Sequence, residues 1–271
     1  MNYGGSRVLV LGLGDTGMSM TRWLASHDAR VRVADTRVSP PHADAARALP
    51  AVSVGTGTFP DSAANIDMIA ISPGIDPRIP LVEDARRRGV TVVGDIELFA
   101  QVLAAPDAPA KAPVIAITGT NGKSTVTAMT DAILKAAGRK SVMAGNIGLP
   151  VLDALAAIES GELAADAFVL ELSSFQLETT ATLSSVSATV LNVTEDHMDR
   201  YDGLADYAAA KGRVFEGARL QVVNRDDAWS LRLARGDRDC TSFGLDVPGT
   251  EREWGIVDRG AGSVLVRGDQ E

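Results

Sequence analysis

Two glycine-rich loops, each placed between a short apolar run and a helix-like segment, constrain the fold of this 271-residue chain. The first lies in "VLVLGLGDTGMSM", residues 8–20, and the second in "VIAITGTNGKSTVTAMT", residues 114–130. A buried strand, a glycine loop and a helix in this order form the phosphate-binding start of a parallel βαβ unit. Two such starts predict two α/β domains in succession.

Strand and helix signals alternate after both loops, which is typical of parallel βαβ units. We therefore predict an α/β fold class, with a Rossmann-like N-terminal domain followed by a P-loop-type, mostly parallel α/β ATPase domain. The segment "AAPDAPAKAP", residues 104–113, carries three prolines and has no apolar period. The predicted domains are residues 1–105 and 114–271, joined by a linker at 106–113.

The first loop has the spacing of a dinucleotide-binding fingerprint. Gly12, Gly14 and Gly17 follow the pattern G-x-G-x-x-G, and Asp35 comes about 20 residues later, where such units keep a ribose-binding carboxylate. The pattern indicates a bound nucleotide diphosphate but does not identify it. An NAD-dependent oxidoreductase is therefore one open interpretation.

The second loop, "TGTNGKST", predicts a nucleoside triphosphate site. Backbone N–H groups of Gly119 and Gly122 are expected to curl around phosphate oxygens, and Lys123 to neutralise the β- and γ-phosphates. The Ser124 hydroxyl is expected to reach Mg²⁺. The loop departs from the standard Walker spacing, because Ile117 stands five residues before Gly122 where that motif has glycine.

Polar residues also follow two later strands. Glu171 ends "FVLEL", and a carboxylate at the carboxyl end of a parallel strand is a candidate Mg²⁺ ligand, although a structural carboxylate is an equal alternative. The segment "LNVTEDHMDRY", residues 191–201, places His197 in a polar cluster that favours a ligand or substrate contact. Lys211, in "YAAAKGRVF", is interpreted from its neighbours as an ordinary surface lysine.

Composition excludes some classes of function. The chain has 26 basic and 35 acidic residues, a net charge of −9, and no basic block, so we expect no nucleic-acid partner. Its apolar runs are too short to span a membrane, so no membrane partner is expected either. Cys240 is the only cysteine, which fits a reducing compartment. We expect a cytoplasmic protein.

Taken together and in this order, five segments resemble the Mur ligases of bacterial cell-wall synthesis. The segment "ITGTNGKSTV", residues 117–126, is similar to the ATP loop of the amide-forming ligases. The segments "DTR", "GDIELF", "ELSSFQLETT" and "NVTEDHMDRY" are similar to the member of the family that adds D-glutamate to UDP-N-acetylmuramoyl-L-alanine. The resemblance covers most of residues 5–245.

The resemblance implies roles for individual residues. It implies that the first domain binds the UDP end of the substrate rather than NAD. It assigns the UDP-substrate to Gly14, Asp15, Thr16, Gly17, Asp35, Thr36, Arg37, Ser72 and Asn146. It assigns ATP to Gly119, Thr120, Asn121, Gly122, Lys123, Ser124 and Thr125. It implies one Mg²⁺ on Ser124 and Glu171 and a second served by His197 and a carbamylated Lys211, with Lys123, His197 and Lys211 as catalytic residues.

The chemistry that the resemblance implies is ATP-driven amide formation through an acyl phosphate, with ATP and Mg²⁺ as cofactors. The implied partners are UDP-N-acetylmuramoyl-L-alanine, D-glutamate and ATP, and the implied state is a monomer. Members of the family carry a third, acceptor-binding domain. We expect that domain to lie outside these residues, the central domain to be incomplete, and the 271-residue chain to be inactive alone.

Other interpretations stay open on the sequence. A phosphoryl-transfer NTPase explains the second loop but not the first. A folylpolyglutamate-type ligase, or another Mur-type ligase, has the ATP loop, but the folylpolyglutamate type lacks residues 1–105. A non-catalytic scaffold derived from a ligase is a further alternative. Binding of NAD, rather than a UDP-sugar, would identify the oxidoreductase.

Overall fold

A computed structural model describes residues 3–260 and 262–268 of the chain. The elements of the first half are β1 (Arg7–Leu11), α1 (Asp15–Ser26), β2 (Arg30–Asp35), α2 (Ala43–Arg47), β3 (Val52–Thr56), β4 (Met68–Ile71), α3 (Pro80–Arg87), β5 (Thr91–Val93) and α4 (Asp95–Ala104). The second half contains β6 (Val114–Thr118), α5 (Lys123–Ala136), β7 (Ser141–Gly145), α6 (Val151–Glu159), β8 (Ala167–Glu171), α7 (Ser174–Glu178), β9 (Ser185–Val190), α8 (Leu204–Gly212), a 3₁₀ turn (Arg213–Phe215), β10 (Ala218–Asn224), α9 (Ala228–Leu233), β11 (Asp239–Phe243), β12 (Glu253–Asp258) and β13 (Ser263–Arg267).

The first compact unit is built on a parallel five-stranded sheet in the order β3-β2-β1-β4-β5. Its central strand β1 is almost wholly apolar, as a strand covered on both faces must be. On one face, Leu9, Leu11, Ile69 and Ile71 pack with apolar residues of α3. The glycine loop follows β1 directly, so it lies at the carboxyl edge of this sheet.

The second compact unit contains an eight-stranded sheet in the order β13-β12-β11-β10-β9-β6-β8-β7. All neighbouring strands are parallel except β12 and β13, which pair antiparallel. The strands β8, β6 and β9 lie side by side, so the segments that follow them meet at one edge. The mostly parallel sheets confirm the predicted α/β fold class.

The division into units differs from the sequence-based domain boundaries. The first unit runs to Lys111 and also includes Ile147–Ala165 and Glu178–Thr182, which the sequence placed in the second domain. The reason is packing, since α6 contacts α1 and α4 through a buried apolar face. Arg22 and Ser19 of α1 also donate hydrogen bonds to Asp153 of α6, at 2.6 and 2.9 Å.

A buried carboxylate binds the segment Glu178–Thr182 to the rest of the first unit. Glu97 of α4 accepts hydrogen bonds from the N–H groups of Ala181 and Thr182, at 2.7 and 2.9 Å. It also accepts from the Thr182 hydroxyl and from Gln101 Nε2, both at 2.8 Å. A carboxylate has about four acceptor positions, so these four hydrogen bonds occupy all of those on Glu97.

No helix within residues 3–260 and 262–268 is long and apolar enough to cross a membrane.

Candidate functional site

The glycine loop of the first unit turns tightly into α1. Gly12 has φ +85°, a conformation that residues with a Cβ rarely adopt. A Cβ added at Gly17 would overlap the carbonyl oxygen of Gly12, so this position accepts only glycine. The amino end of α1, with Gly14 as its first flanking residue, therefore lies close to the end of β1. Its free N–H groups and dipole suit a phosphate.

Asp35, at the carboxyl end of β2, is buried and makes four hydrogen bonds within the unit. Its carboxylate accepts from the N–H of Leu13 at 2.7 Å and from the N–H of Arg37 at 2.8 Å. The Arg37 guanidinium adds two more, at 2.9 and 2.6 Å. These four bonds occupy about all the acceptor positions of a carboxylate. A ribose hydroxyl, the contact expected from an NAD-type site, finds no acceptor left on Asp35 in this arrangement.

Asp35 instead fixes the loop and orients Arg37. The hydrogen bonds from Arg37, above all those of its side chain, lower the pKa of Asp35 to about 2 against the opposing effect of burial. Arg37 and Thr36 are exposed beside it. Ser72, buried at the end of β4, donates to the Gly12 carbonyl at 3.3 Å. The predicted residues Gly14, Asp15, Thr16 and Gly17 belong to the same edge of the sheet.

The second glycine loop joins β6 to α5. Gly119 and Gly122 have φ +155° and +79°, and the second of these precedes Lys123, the first residue of α5. The Lys123 ammonium donates to the carbonyls of Gly119 and Thr120, both at 2.9 Å, so it folds back over the loop. Ser124 and Thr125 are exposed at the start of α5. Strand, loop, lysine and helix confirm the local structure that the sequence predicted.

The segment after β9 supports this loop by a set of hydrogen bonds. Asn192 accepts from the N–H of Thr120 with its carbonyl, at 2.9 Å, and from the N–H of Asn121 with its side chain, at 2.8 Å. The Thr120 hydroxyl accepts from the N–H of Thr194 at 3.1 Å. The loop conformation is therefore held by residues about 70 positions away, and not by its own sequence alone.

Glu171 is buried at the carboxyl end of β8, opposite Ile117 of β6 in the register. One carboxylate oxygen accepts from the side-chain amide of Asn146 at 2.7 Å. The other oxygen is buried and has no hydrogen-bond partner. A buried carboxylate oxygen without a donor is costly unless a cation completes it, so Glu171 fits a Mg²⁺ ligand. Asn146, assigned by resemblance to the UDP-substrate, contacts Glu171 in the second unit.

No group of three or more His, Cys, Asp or Glu side chains converges as a metal cage among the described residues.

The sequence-based interpretation of Lys211 as a surface lysine is wrong. Lys211 is not on the surface, since its side chain is among the largest fully buried ones of the residues that the structure describes. Its ammonium donates to the Gly119 carbonyl at 2.8 Å and lies 4.4 Å from the ring centre of Tyr207. Desolvation by burial, with a smaller contribution from the nearby Lys123 charge, lowers the pKa of Lys211 to about 7, while Asp196 opposes the effect.

His197 lies in the segment after β9 and is exposed. Its φ of +55° is unusual for a residue with a Cβ. Its N–H donates to the side chain of Asp196 at 2.9 Å, and its ring lies 4.7 Å from the ring of Phe175 on α7. The structure thus places His197 in the segment that supports the second loop, next to an aromatic ring and an acidic side chain.

Tyr207 is a site residue that sequence reasoning missed. Its hydroxyl accepts from the Thr120 side chain at 3.4 Å, and its ring covers Lys211. The available signal was its spacing, because Tyr207 and Lys211 are four residues apart on α8 and so share one face of that helix.

The fold and these two loops define the chain as an α/β protein with one glycine loop of the phosphate-binding type in each unit. Comparison with models of known families identifies the family. Residues 6–94 match the Mur ligase MurD-like N-terminal domain, and residues 117–251 match the Mur ligase middle domain. The chain belongs to the Mur ligase family.

Curated relatives with high identity share one name, UDP-N-acetylmuramoylalanine–D-glutamate ligase. The protein of that name from Thiobacillus denitrificans is 51% identical over 95% of this chain, and the one from Methylobacillus flagellatus is 50% identical over 98%. The chain covers 58% and 56% of these two relatives, so it spans a little over half of their length.

Solved structures support the fold. The UDP-N-acetylmuramate:L-alanyl-gamma-D-glutamyl-meso-diaminopimelate ligase from Neisseria meningitides matches with a TM-score of 0.58 at 16% identity, covering 97% of this chain and 85% of that one. The UDP-N-acetylmuramate-alanine ligase from Thermotoga maritima matches with a TM-score of 0.51 at 20% identity, covering 93% of this chain and 54% of that one.

Proposed function

We propose that the protein containing this chain is an ATP-dependent amide ligase that joins D-glutamate to UDP-N-acetylmuramoyl-L-alanine. The names of relatives at 44–51% identity support this reaction. In it, the γ-phosphoryl group of ATP passes to the alanyl carboxylate and ADP leaves. The amine of D-glutamate then attacks the acyl phosphate, loses a proton and expels phosphate.

The first loop is the proposed site for the diphosphate of the UDP-substrate. The amino end of α1 supplies N–H donors, and Asp35 holds Arg37 exposed beside it. Thr36 and Arg37 are the proposed contacts for the uridine. Asp35 itself acts through Arg37 and Leu13, because its acceptor positions are occupied.

The second loop is the proposed ATP site. Lys123 already lies over the loop, and its ammonium can exchange the carbonyls of Gly119 and Thr120 for phosphate oxygens. Ser124 and Glu171 are the proposed Mg²⁺ ligands, and a bound Mg²⁺ would offset the charge of the phosphates. Burial of the free oxygen of Glu171 is the observation that supports this role.

The observation that carries the proposal is the environment of Lys211. A pKa of about 7 leaves much of its amine neutral at neutral pH, and only a neutral amine attacks CO₂. The nitrogen lone pair forms a bond to the carbon of CO₂, one proton leaves the nitrogen, and a carbamate anion remains. That anion, with His197, would serve a second Mg²⁺. An ordinary lysine of the standard pKa has almost no neutral amine at this pH.

Two measurements test the proposal. Calorimetric titration of the chain should show binding of UDP-N-acetylmuramoyl-L-alanine that weakens in Arg37→Ala and not in the matched control Arg47→Ala, whose arginine lies on α2. NAD should not bind. Incubation with ¹³C-bicarbonate should give a carbamate signal in the carbon NMR spectrum that the Lys211→Met variant lacks, whereas any signal from the α-amino group persists in both. Tight NAD binding without UDP-substrate binding would overturn the assignment. A monomeric state and a cytoplasmic location stay predictions.

A further inference from the structure

A second concave surface lies in the first unit, away from its glycine loop. It is a groove of about 520 Å³ lined by the amino-terminal parts of β1 and β2, the start of β3 and the segment just before β4. The glycine loop follows the carboxyl end of β1, whereas the groove lies at the amino ends of the strands, on the opposite side of the same parallel sheet. The ligand that we propose for the glycine loop does not explain it.

The groove is lined by three arginines and no acidic residue. Arg7 pairs with Asp67 through two side-chain hydrogen bonds, at 3.1 and 2.7 Å. Arg30 and Arg32, by contrast, make no ion pair and no side-chain hydrogen bond with any residue in the described ranges. Two guanidinium groups in a protein of net charge −9 are therefore left without an internal counter-charge.

Strand register brings these charges to one face. Arg7 of β1 is the direct partner of Arg30 of β2, and Arg32 follows two positions later, on the same side of the strand. Like charges directly opposite one another on neighbouring strands are destabilising. An anion bound between them would remove this repulsion.

The backbone around the groove is also unusual. Ala51 and Asn65, which both line it, have φ of +58° and +63°. Only four non-glycine residues in the described part of the chain have positive φ, and two of them are here. Such conformations persist where the surrounding structure holds a segment in a required shape.

We propose that this groove binds a small molecule that carries phosphate groups. A phosphate presents oxygens in several directions and up to two charges, so it can accept from the planar donor forks of Arg30 and Arg32 together. A single carboxylate has only two oxygens in one plane, so it pairs bidentately with one such fork at a time. The remaining lining includes apolar residues such as Ile66 and Val52, which suit the organic part of the ligand.

The experiment uses the 271-residue chain, inorganic pyrophosphate as the probe, and methyl NMR spectra of valine and isoleucine. Titration should move the signals of Val31 and Ile66 to saturation. In the double variant R30Q/R32Q the affinity at these signals should fall by at least about tenfold, since each hydrogen bond to a charged group is worth about that factor. The control R47Q removes a cation of the same unit outside the groove and should titrate like the unchanged protein.

Pyrophosphate bound at the glycine loops moves other signals, those of Val10 beside the first loop and Val126 beside the second. These shifts should persist in R30Q/R32Q and so show that the variant is folded. The proposal is overturned if pyrophosphate moves only the loop signals, or if sodium chloride at equal ionic strength reproduces the groove shifts. Binding of polyglutamate at the groove without binding of pyrophosphate would overturn it in favour of an acidic polypeptide.

Discussion

Replacing Lys211 by methionine should change how the stability of the second unit depends on pH. Burial lowers the pKa of Lys211 from 10.5 to about 7, so the folded unit binds this proton less tightly than the unfolded chain. At about 1.36 kcal/mol per pKa unit, the buried cation disfavours folding by on the order of 5 kcal/mol at low pH. The penalty is full below pH 7 and disappears as the pH rises towards 10.5.

Stability should therefore increase with pH above 7. Between pH 7 and pH 9 the linkage relation gives a gain of about 2 kcal/mol in the free energy of unfolding of the unchanged unit. Lys211→Met has no proton to bind and should lack this gain. Its stability at pH 7 should exceed that of the unchanged protein, because the apolar side chain fills a similar volume without a buried charge.

The assay is urea unfolding in CO₂-free buffers, followed by tryptophan fluorescence in a Trp23→Phe background. The two remaining tryptophans, Trp229 and Trp254, both lie in the second unit, so the signal reports that unit. Lys140→Met, which removes an exposed lysine, is the matched control and should keep the gain. Equal pH dependence in Lys211→Met and in the unchanged protein would refute the buried-cation argument, and with it the basis for carbamylation.

Three further predictions concern the two loops. Asp35→Asn should lower the free energy of unfolding of the first unit by about 2 kcal/mol at neutral pH. The reason is that the pKa of Asp35 is lowered to about 2, so its ionised carboxylate stabilises the fold above pH 4 and this stabilisation is lost as the pH falls towards 2. Melting temperatures measured across an acid pH series test this. Glu171→Gln should be at least as stable as the unchanged protein without Mg²⁺, yet lose the rise in melting temperature that MgATP produces; an unchanged rise would contradict the metal role. Lys123→Ala should weaken ATP binding at least about tenfold in calorimetry, whereas Lys135→Ala, on the same helix, should not.

Local sequence patterns predicted most of the strands and helices near both loops. The strands β1, β4 and β6 are apolar runs bounded by turn residues, and β2 alternates arginine with valine. Each of these patterns predicts a strand where the structure has one. The strand β3 was missed because "VSVGT" is a short edge strand, with alternating partly exposed residues and a glycine. An edge strand is defined by its partner β2, which local sequence does not specify.

The site was predictable where the chemistry lies in consecutive residues and unpredictable where it depends on distant ones. The loop containing Lys123 carries its own signal. The burial of Lys211 does not, because it depends on Gly119, 92 positions earlier, and on the ring of Tyr207. The four hydrogen bonds of Asp35 also involve Leu13, whose proximity follows only from the parallel pairing of β1 and β2.

The return of α6 and of residues 178–182 to the first unit affects how the protein folds during synthesis. Asp153 lies 134 and 131 positions after its hydrogen-bond donors on α1. Glu97 lies 84 and 85 positions before the N–H groups that it binds. Until the ribosome has made α6, α1 and α4 lack their cover, and Glu97 lacks its backbone donors until Ala181 and Thr182 follow. The first unit is therefore completed only after Thr182 has left the ribosome. Until then, the faces of α1 and α4 that α6 covers in the folded unit stay exposed, as is common for unfinished domains during synthesis.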